Sequence, residues 1–162
     1  NKIIINSLLL LIVVICNQSQ KEFPKVNIDN NINYAVLADT IITYVVIKNP
    51  DNDEWTAYTL RNLEKEQLVD ELFNLVYSGK LVPYNFFSET PITIDEVKDI
   101  EHSEDYGRDK IGKVQFEEAW YFDVDSKKMV KKVQSIMLAY ELYDLEGKVK
   151  GYKPVFKVYL NE

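Results

Sequence analysis

Hydrophobic residues recur at alternate positions over residues 114–123 (VQFEEAWYFD), and the run ends in adjacent aromatic residues. A period of two predicts a β-strand, because successive side chains of a strand point to opposite faces. We expect one face to point into the core and Tyr121 to point away from it. That core face carries Val114, Phe116, Glu118, Trp120 and Phe122.

Two more strand-like runs follow, at residues 130–143 and 152–160, and turn-rich segments at 123–128 and 145–151 separate the three runs. Short connections of this kind favour neighbouring antiparallel strands. An earlier run, residues 35–48, is almost entirely β-branched or aromatic between Ile41 and Ile47, which favours a strand buried on both faces.

Two helices are predicted between these strands. Residues 63–78 carry a wide apolar stripe opposite charged residues, and Gly79 is placed to end that helix. A shorter helix begins at Thr93, where Glu96 three residues later completes a capping box. The predicted fold class is α+β, an antiparallel β-meander with one long and one short helix packed on it.

The N-terminus has the pattern of a secretory signal peptide, which we place at residues 1–19: Lys2 precedes an uncharged run that ends at Cys16. This run is shorter than the ~20 residues of a membrane-spanning helix, so no transmembrane segment is expected after cleavage. General signal peptidase cleavage is favoured over lipidation of Cys16, because Ile15 replaces the small residue that lipidation prefers. Residues 20–33 form a polar tether, and residues 34–162 form a single domain.

Composition limits the possible partners. The chain has 19 basic and 26 acidic residues, a net charge of −7, and loss of Lys2 with the signal peptide would make it −8. Nucleic acid and anionic membrane surfaces are therefore poor partners. Cys16 is the only cysteine, so an exported chain that begins beyond it must rely on its core instead of disulfides.

No catalytic, cofactor or metal site is predicted. His102 is the only histidine, and its acidic neighbours favour a solvated loop over an acid/base or zinc site. Residues 123–126 (DVDS) favour a hairpin turn over a calcium loop. Glu117 and Glu118 are adjacent on a strand and point to opposite faces, so they cannot form a glycosidase pair. Glu118, on the apolar face, is expected to lie at the sheet margin or in an ion pair, for example with Lys132 or Arg61. Without such a partner its pKa would be raised, as in some catalytic groups.

Aromatic residues are numerous, with eleven Tyr, seven Phe and two Trp. Tyrosine and tryptophan dominate interface hot spots, although such rings can equally complete a core and its rim. The candidate partner-binding residues are Tyr121, Tyr140, Tyr143, Tyr152 and Tyr159.

Several short motifs occur in a characteristic order: S-G-K at 78–80, Tyr84, T-x-x-E-V at 93–97, E-x-W-Y-F-D at 118–123 and G-Y-K-P-V-F at 151–156. In these motifs the chain resembles the gliding-motility protein N family of Bacteroidota (GldN/PorN) over about residues 37–162. The resemblance implies a periplasmic, non-enzymatic scaffold subunit of the type IX secretion system. It also implies an oligomeric, ring-like assembly with an outer-membrane lipoprotein, protein K.

The main hypothesis is therefore a non-catalytic periplasmic assembly subunit that docks a protein partner through its sheet. The alternative is an envelope small-molecule-binding module, with Tyr140, Tyr152 and Glu118 in its pocket. A third hypothesis is a hydrolase that uses His102.

Overall fold

The computed structural model of the chain describes residues 25–29, 32–104 and 106–160. The expected signal peptide and Cys16 lie outside the described residues, as does half of the expected tether.

A six-stranded antiparallel sheet forms the centre of the fold, with the strand order β1-β2-β4-β5-β6-β3. Three helices and a 3-10 turn at Arg108–Lys110 complete it, which confirms the α+β class. The strands are β1 (Lys25–Asp29), β2 (Ile32–Val46), β3 (Pro83–Tyr84), β4 (Ile111–Asp123), β5 (Lys128–Tyr143) and β6 (Val149–Tyr159). The helices are α1 (Glu54–Leu60), α2 (Lys65–Tyr77) and α3 (Ile94–Glu101).

The strand order differs from the expected meander. β4, β5 and β6 are neighbours in chain order, but β2 pairs with β4, and β3 lies at the far edge beside β6. The reason is the path of α2, which packs over the later strands: the ring centroids of Phe73 on α2 and Phe156 on β6 are 5.0 Å apart. The chain that leaves α2 is therefore delivered to the β6 edge, where β3 forms.

Both predicted helices are present. Gly79 ends α2 with a φ of 73°, the left-handed conformation that glycine adopts without strain. At the start of α3, the Glu96 N–H donates to Thr93 Oγ1 (3.2 Å) and the Thr93 N–H donates to Glu96 Oε2 (2.7 Å), so the capping box is confirmed.

Helix α1 follows residues 49–53 (NPDND), and its sequence pattern did not predict it. Asp53 caps it by accepting the Thr56 N–H at 2.7 Å, and none of its residues is buried. A helix without a buried stripe lacks the apolar period of 3.6 on which sequence prediction depends.

The core lies between α2, α3 and one face of the sheet. Val69, Phe73 and Val76 of α2 and Val97 of α3 are at most 2% exposed, and so is Val114 of β4. Val114 and Phe116 thus follow the predicted face. Trp120 and Phe122 lie near the margin of the sheet, where both are partly exposed, and they do not reach the core.

Strand β2 departs most from expectation. Ile42 and Tyr44 are 60% and 63% exposed, so the prediction of a strand buried on both faces is wrong. The cause is the length of β1, which pairs only with residues 32–35 of β2 and leaves the rest of β2 at an edge. The assignment of residues 25–29 to the tether is corrected by the same observation, since they form β1 through backbone pairing.

Candidate functional site

The five candidate tyrosines do not form one surface. Tyr143 and Tyr152 come together beside β2, whereas Tyr159 packs edge-to-face on Tyr84 at 5.1 Å. Tyr121 lies apart, opposite Val36 and Val130 of the neighbouring strands, and is partly exposed.

Tyr140 is not a surface residue. It is 3% exposed, and its ring packs edge-to-face on Tyr106 with a centroid distance of 5.3 Å. The prediction that Tyr140 contacts a partner is therefore wrong, because β5 turns this side chain toward the core. Its ring completes the core, the alternative that its sequence left open.

Tyr143 and Tyr152 belong to a group of rings and lysines on the sheet face opposite the core, here called the tyrosine–lysine surface: Tyr44, Lys48, Lys113, Tyr143 and Tyr152. Lys113 Nζ lies 4.0 Å from the ring centroid of Tyr44 and 5.2 Å from that of Tyr152. An ammonium over an aromatic face is attracted by the ring quadrupole. Lys113 therefore holds the two rings, on β2 and β6, around one cation.

The carboxylate of Glu141 lies beneath this surface. Its residue is 1% exposed, and its Oε2 accepts hydrogen bonds from Lys48 Nζ (2.6 Å) and from the hydroxyl of Tyr143. Glu141 lies opposite Tyr152 in the β5–β6 ladder. The buried charge thus orders the lysine and tyrosine around it, since a buried carboxylate requires polar partners.

The same contacts perturb the titration of the surface groups. Burial by itself would lower the pKa of Lys48, but the hydrogen bonds to Glu141 and Tyr143 outweigh it and raise that pKa. The hydrogen bond to Glu141 raises the pKa of Tyr143. Burial and the charge of Glu141 raise the pKa of Tyr152. These shifts favour neutral Tyr143 and Tyr152 hydroxyls and a cationic Lys48.

Two adjacent glutamates of β4 point to opposite sides, as predicted. Glu117 accepts from Lys157 Nζ and Ser135 Oγ, both at 2.8 Å. Glu118 accepts from Trp120 Nε1 at 2.9 Å. The cation nearest Glu118 is Lys131, at 4.0 Å, and not the expected Lys132 or Arg61.

Among the described residues, His102 contacts the backbone of its own helix and no catalytic partner. Its Nδ1 is 2.7 Å from the carbonyl oxygen of Lys98 at the exposed end of α3. Neighbouring Glu101 accepts from Arg108 Nε at 2.5 Å, in an ion-pair network that also includes Asp70. Within residues 25–29, 32–104 and 106–160, no group of three or more His, Cys, Asp or Glu side chains could hold a metal ion.

The hairpin interpretation of residues 123–126 agrees with the structure. Asp123 Oδ1 accepts the Asp125 N–H at 3.0 Å, and Ser126 Oγ donates to Asp123 Oδ2. Both oxygens of the Asp123 carboxylate thus accept hydrogen bonds from residues of the same turn.

An open groove lies on the side of the core. It has a volume of about 530 Å³, and its lining includes Phe86, Phe87, Ile100, Tyr140, Lys153 and Val155. Of the three pocket residues expected for a small-molecule module, Tyr140 lines this groove and Tyr152 and Glu118 do not.

Sequence reasoning missed three members of the tyrosine–lysine surface: Lys48, and the pair Tyr44 and Lys113. The contact of this pair depends on the register of β2 against β4, in which Tyr44 faces Gln115 and Lys113 faces Val46. It also missed an exposed aromatic pair on α1, Trp55 and Tyr58, which stack at 5.8 Å. The spacing of three residues between these two rings was the available signal.

Residues 25–162 match the sequence model of the family described as gliding motility associated protein GldN. The chain belongs to the GldN family. The match confirms the resemblance and extends it to β1. The GldN description associates the chain with gliding motility and names no enzymatic activity. No curated protein matches the sequence. In the described part of the chain, no helix combines the length and apolar character needed to cross a membrane.

Proposed function

We propose that this GldN-family chain is a periplasmic, non-catalytic assembly subunit of a gliding or type IX secretion machinery. In this role it docks a protein partner through the tyrosine–lysine surface. The family match supports the biological setting, since GldN is described by its association with gliding motility. The proposed partner is an outer-membrane lipoprotein of the protein K type.

The docking role is supported mainly by the exposure of tyrosine rings that lie beside lysine side chains. Tyr44 is 63% exposed and Tyr143 is 39% exposed, and both lie beside lysines that the sheet holds in place. Tyrosines contribute large contact areas at small entropic cost, and hot spots are enriched in them. A partner with acidic and aromatic side chains would complement such a surface.

Buried Glu141 supports this role by fixing Lys48 and Tyr143 before any partner arrives. Pre-organised side chains reduce the entropy lost on binding. The surface is therefore suited to a lasting contact.

Affinity purification of the tagged chain from its native envelope tests the proposal. We expect secretion or motility components to be recovered with the wild-type chain, and expect Lys113→Ala and Tyr152→Ala to reduce their recovery about tenfold or more. Lys98→Ala is the matched control, because the Lys98 side chain is 50% exposed on α3, which packs on the other face of the sheet. Recovery of the wild-type chain alone would refute the proposal.

Tyr121 and Tyr159 provide a separate arm of this experiment. Both are partly exposed and lie outside the tyrosine–lysine surface. Loss of the partner in Tyr121→Ala or Tyr159→Ala, with normal recovery in Tyr152→Ala, would move the docking site to another part of the sheet.

A small-molecule-binding module is a second candidate, favoured by the groove of about 530 Å³. Its volume lies within the range of ligand pockets. Native mass spectrometry of the chain purified from its envelope would reveal a co-purified ligand, and Val155→Trp, which fills the groove, would release it. The third reading, a hydrolase, predicts loss of function in a His102→Ala strain, and an unchanged phenotype would refute it.

A further inference from the structure

One edge of the sheet is open over most of β2. β1 pairs with residues 32–35, and β4 pairs with the other side of β2 as far as Val46. Among the described strands, none pairs with the outer side of residues 36–46. Within the described residues, the outward backbone N–H and C=O groups along this edge thus have no strand partner.

The groups that point outward can be assigned from the ladder. The Ile47 N–H donates to the Gly112 carbonyl oxygen at 2.8 Å. Antiparallel pairing alternates along a strand, and the register from Ile41 to Val46 is unbroken, so Ile42, Tyr44 and Val46 direct their backbone groups outward.

Natural edges are usually protected by charges, proline or bulges. β2 has register shifts between Val36 and Ile41, and its charged residue Asp39 lies within them. The following six residues, 41–46 (IITYVV), have no charge, proline or bulge. Their exposed side chains include Ile42 at 60%, Tyr44 at 63% and Val45 at 43%.

We propose that a second copy of this chain pairs antiparallel with this edge, across a two-fold axis that passes through Thr43. Residues opposed in an antiparallel pair share a sheet face, so an even-numbered residue must face an even-numbered one. With the axis at Thr43, Ile42 faces Tyr44 of the second copy and Ile41 faces its Val45. Thr43 faces Thr43 of the second copy.

The strand is complementary to itself in this register. Aromatic with β-branched pairs and threonine with threonine pairs are favourable cross-strand combinations. Asp39 falls opposite Ile47 of the second copy, about 27 Å along the strand from the other Asp39. One contact thus places Ile42 and Tyr44 of each copy beside Tyr44 and Ile42 of the other, as the two-fold symmetry of an isologous interface requires.

The proposed dimer rests on the proposed function only for its biological setting, and its geometry does not depend on an assembly role. The purified chain tests it without any partner, whereas the envelope purification tests the assembly role. The two proposals therefore fail separately. The net charge of −7 opposes association of two copies, so we expect the dimer to strengthen as salt screens that repulsion.

Thr43 allows a direct test. It lies on the two-fold axis, so a charged residue introduced there faces the same charge in the second copy. We expect sedimentation equilibrium of the purified chain to show a monomer–dimer equilibrium. Thr43→Lys and Thr43→Glu should each raise the dissociation constant at least tenfold, since like charges directly opposite each other are destabilising. An equimolar mixture of the two variants should restore the dimer as a heterodimer, which also shows that both are folded.

Thr59→Lys is the matched control, since Thr59 is exposed on α1 and the substitution is identical. It should dimerise as the wild type does. A wild-type chain that stays monomeric at concentrations up to about 100 μM would overturn the proposal. Undiminished dimerisation of Thr43→Lys, or failure of the mixture to associate, would overturn the register.

Discussion

A Cβ atom on Gly112 would lie 2.5 Å from Cγ of Glu141, so the missing side chain of one residue makes the space that the other occupies. Gly112 lies at an irregular point of the β4–β5 ladder, between Ile111 and Lys113. The glycine thereby allows a buried carboxylate beneath the tyrosine–lysine surface.

Gly112→Ala should destabilise the fold by about 2 kcal/mol, because Glu141 must shift within a packed sheet. The measurement is the free energy of unfolding by urea. Gly151→Ala is the matched control in β6, where a Cβ would meet nothing within 4 Å, and we expect it to change stability by less than about 0.5 kcal/mol. Equal effects of the two substitutions would contradict the steric role of Gly112.

Glu117→Gln should reduce the dependence of stability on acid pH. Burial alone would raise the pKa of Glu117, but hydrogen bonds from Lys157 and Ser135 outweigh it and lower that pKa below 4.5. A carboxyl whose pKa is lowered by folding stabilises the protein above its unfolded pKa, and this stabilisation is lost as the pH falls through the folded pKa.

The difference in unfolding free energy between wild type and Glu117→Gln should therefore be constant above about pH 6 and shrink below about pH 4.5. Urea titrations between pH 7 and pH 3 measure it. Glu146→Gln serves as the control, because the Glu146 side chain is 74% exposed and its pair with Lys148 lies in a turn. A difference that stays constant down to pH 3 would contradict the linkage.

Tyr140→Ala should act on folding. Truncation of this buried ring beside Tyr106 removes core contacts and should cost about 3–5 kcal/mol. Tyr140→Phe keeps the ring and should cost less than about 1.5 kcal/mol. Thermal unfolding distinguishes them. Loss of partner recovery in Tyr140→Phe with normal stability would restore Tyr140 as a contact residue.

Thr93→Ala should weaken the start of α3 by about 1 kcal/mol, because the N–H of Glu96 loses its acceptor. Urea unfolding gives the value. Thr90→Ala, in the exposed segment before the helix, is expected to have a smaller effect. Thr93→Ser keeps the hydroxyl and should retain most of the stability, which would not happen if the methyl group of Thr93 were the stabilising element.

Local patterns predicted the local structure well. The capping box at Thr93, the stop at Gly79 and the opposite directions of Glu117 and Glu118 each depend on neighbouring residues alone. The α+β class followed from the same patterns, and the family resemblance from the order of short motifs.

The features that required the structure are those set by strand order and register. β2 has the composition of a buried strand and lies at an edge, because β1 is short. Tyr140 and Tyr152 look alike in sequence. A register shift between Leu138 and Ala139 sets Tyr140 opposite Lys153 and Tyr152 opposite Glu141, so one ring enters the core while the other joins Lys113. Pairing between distant segments decides these positions.

The opposite edge of the sheet ends differently from β2. Its last strand, β3, begins with Pro83, and its outer neighbours are Pro91, bridged to Tyr84, and Ile92, whose N–H donates to the Pro83 carbonyl oxygen at 2.8 Å. Proline offers no N–H to an added strand. Among the described strands, only the β2 edge is thus receptive. A copy that pairs there would leave no second such edge, so the proposed pair would be closed and would not extend into a fibril.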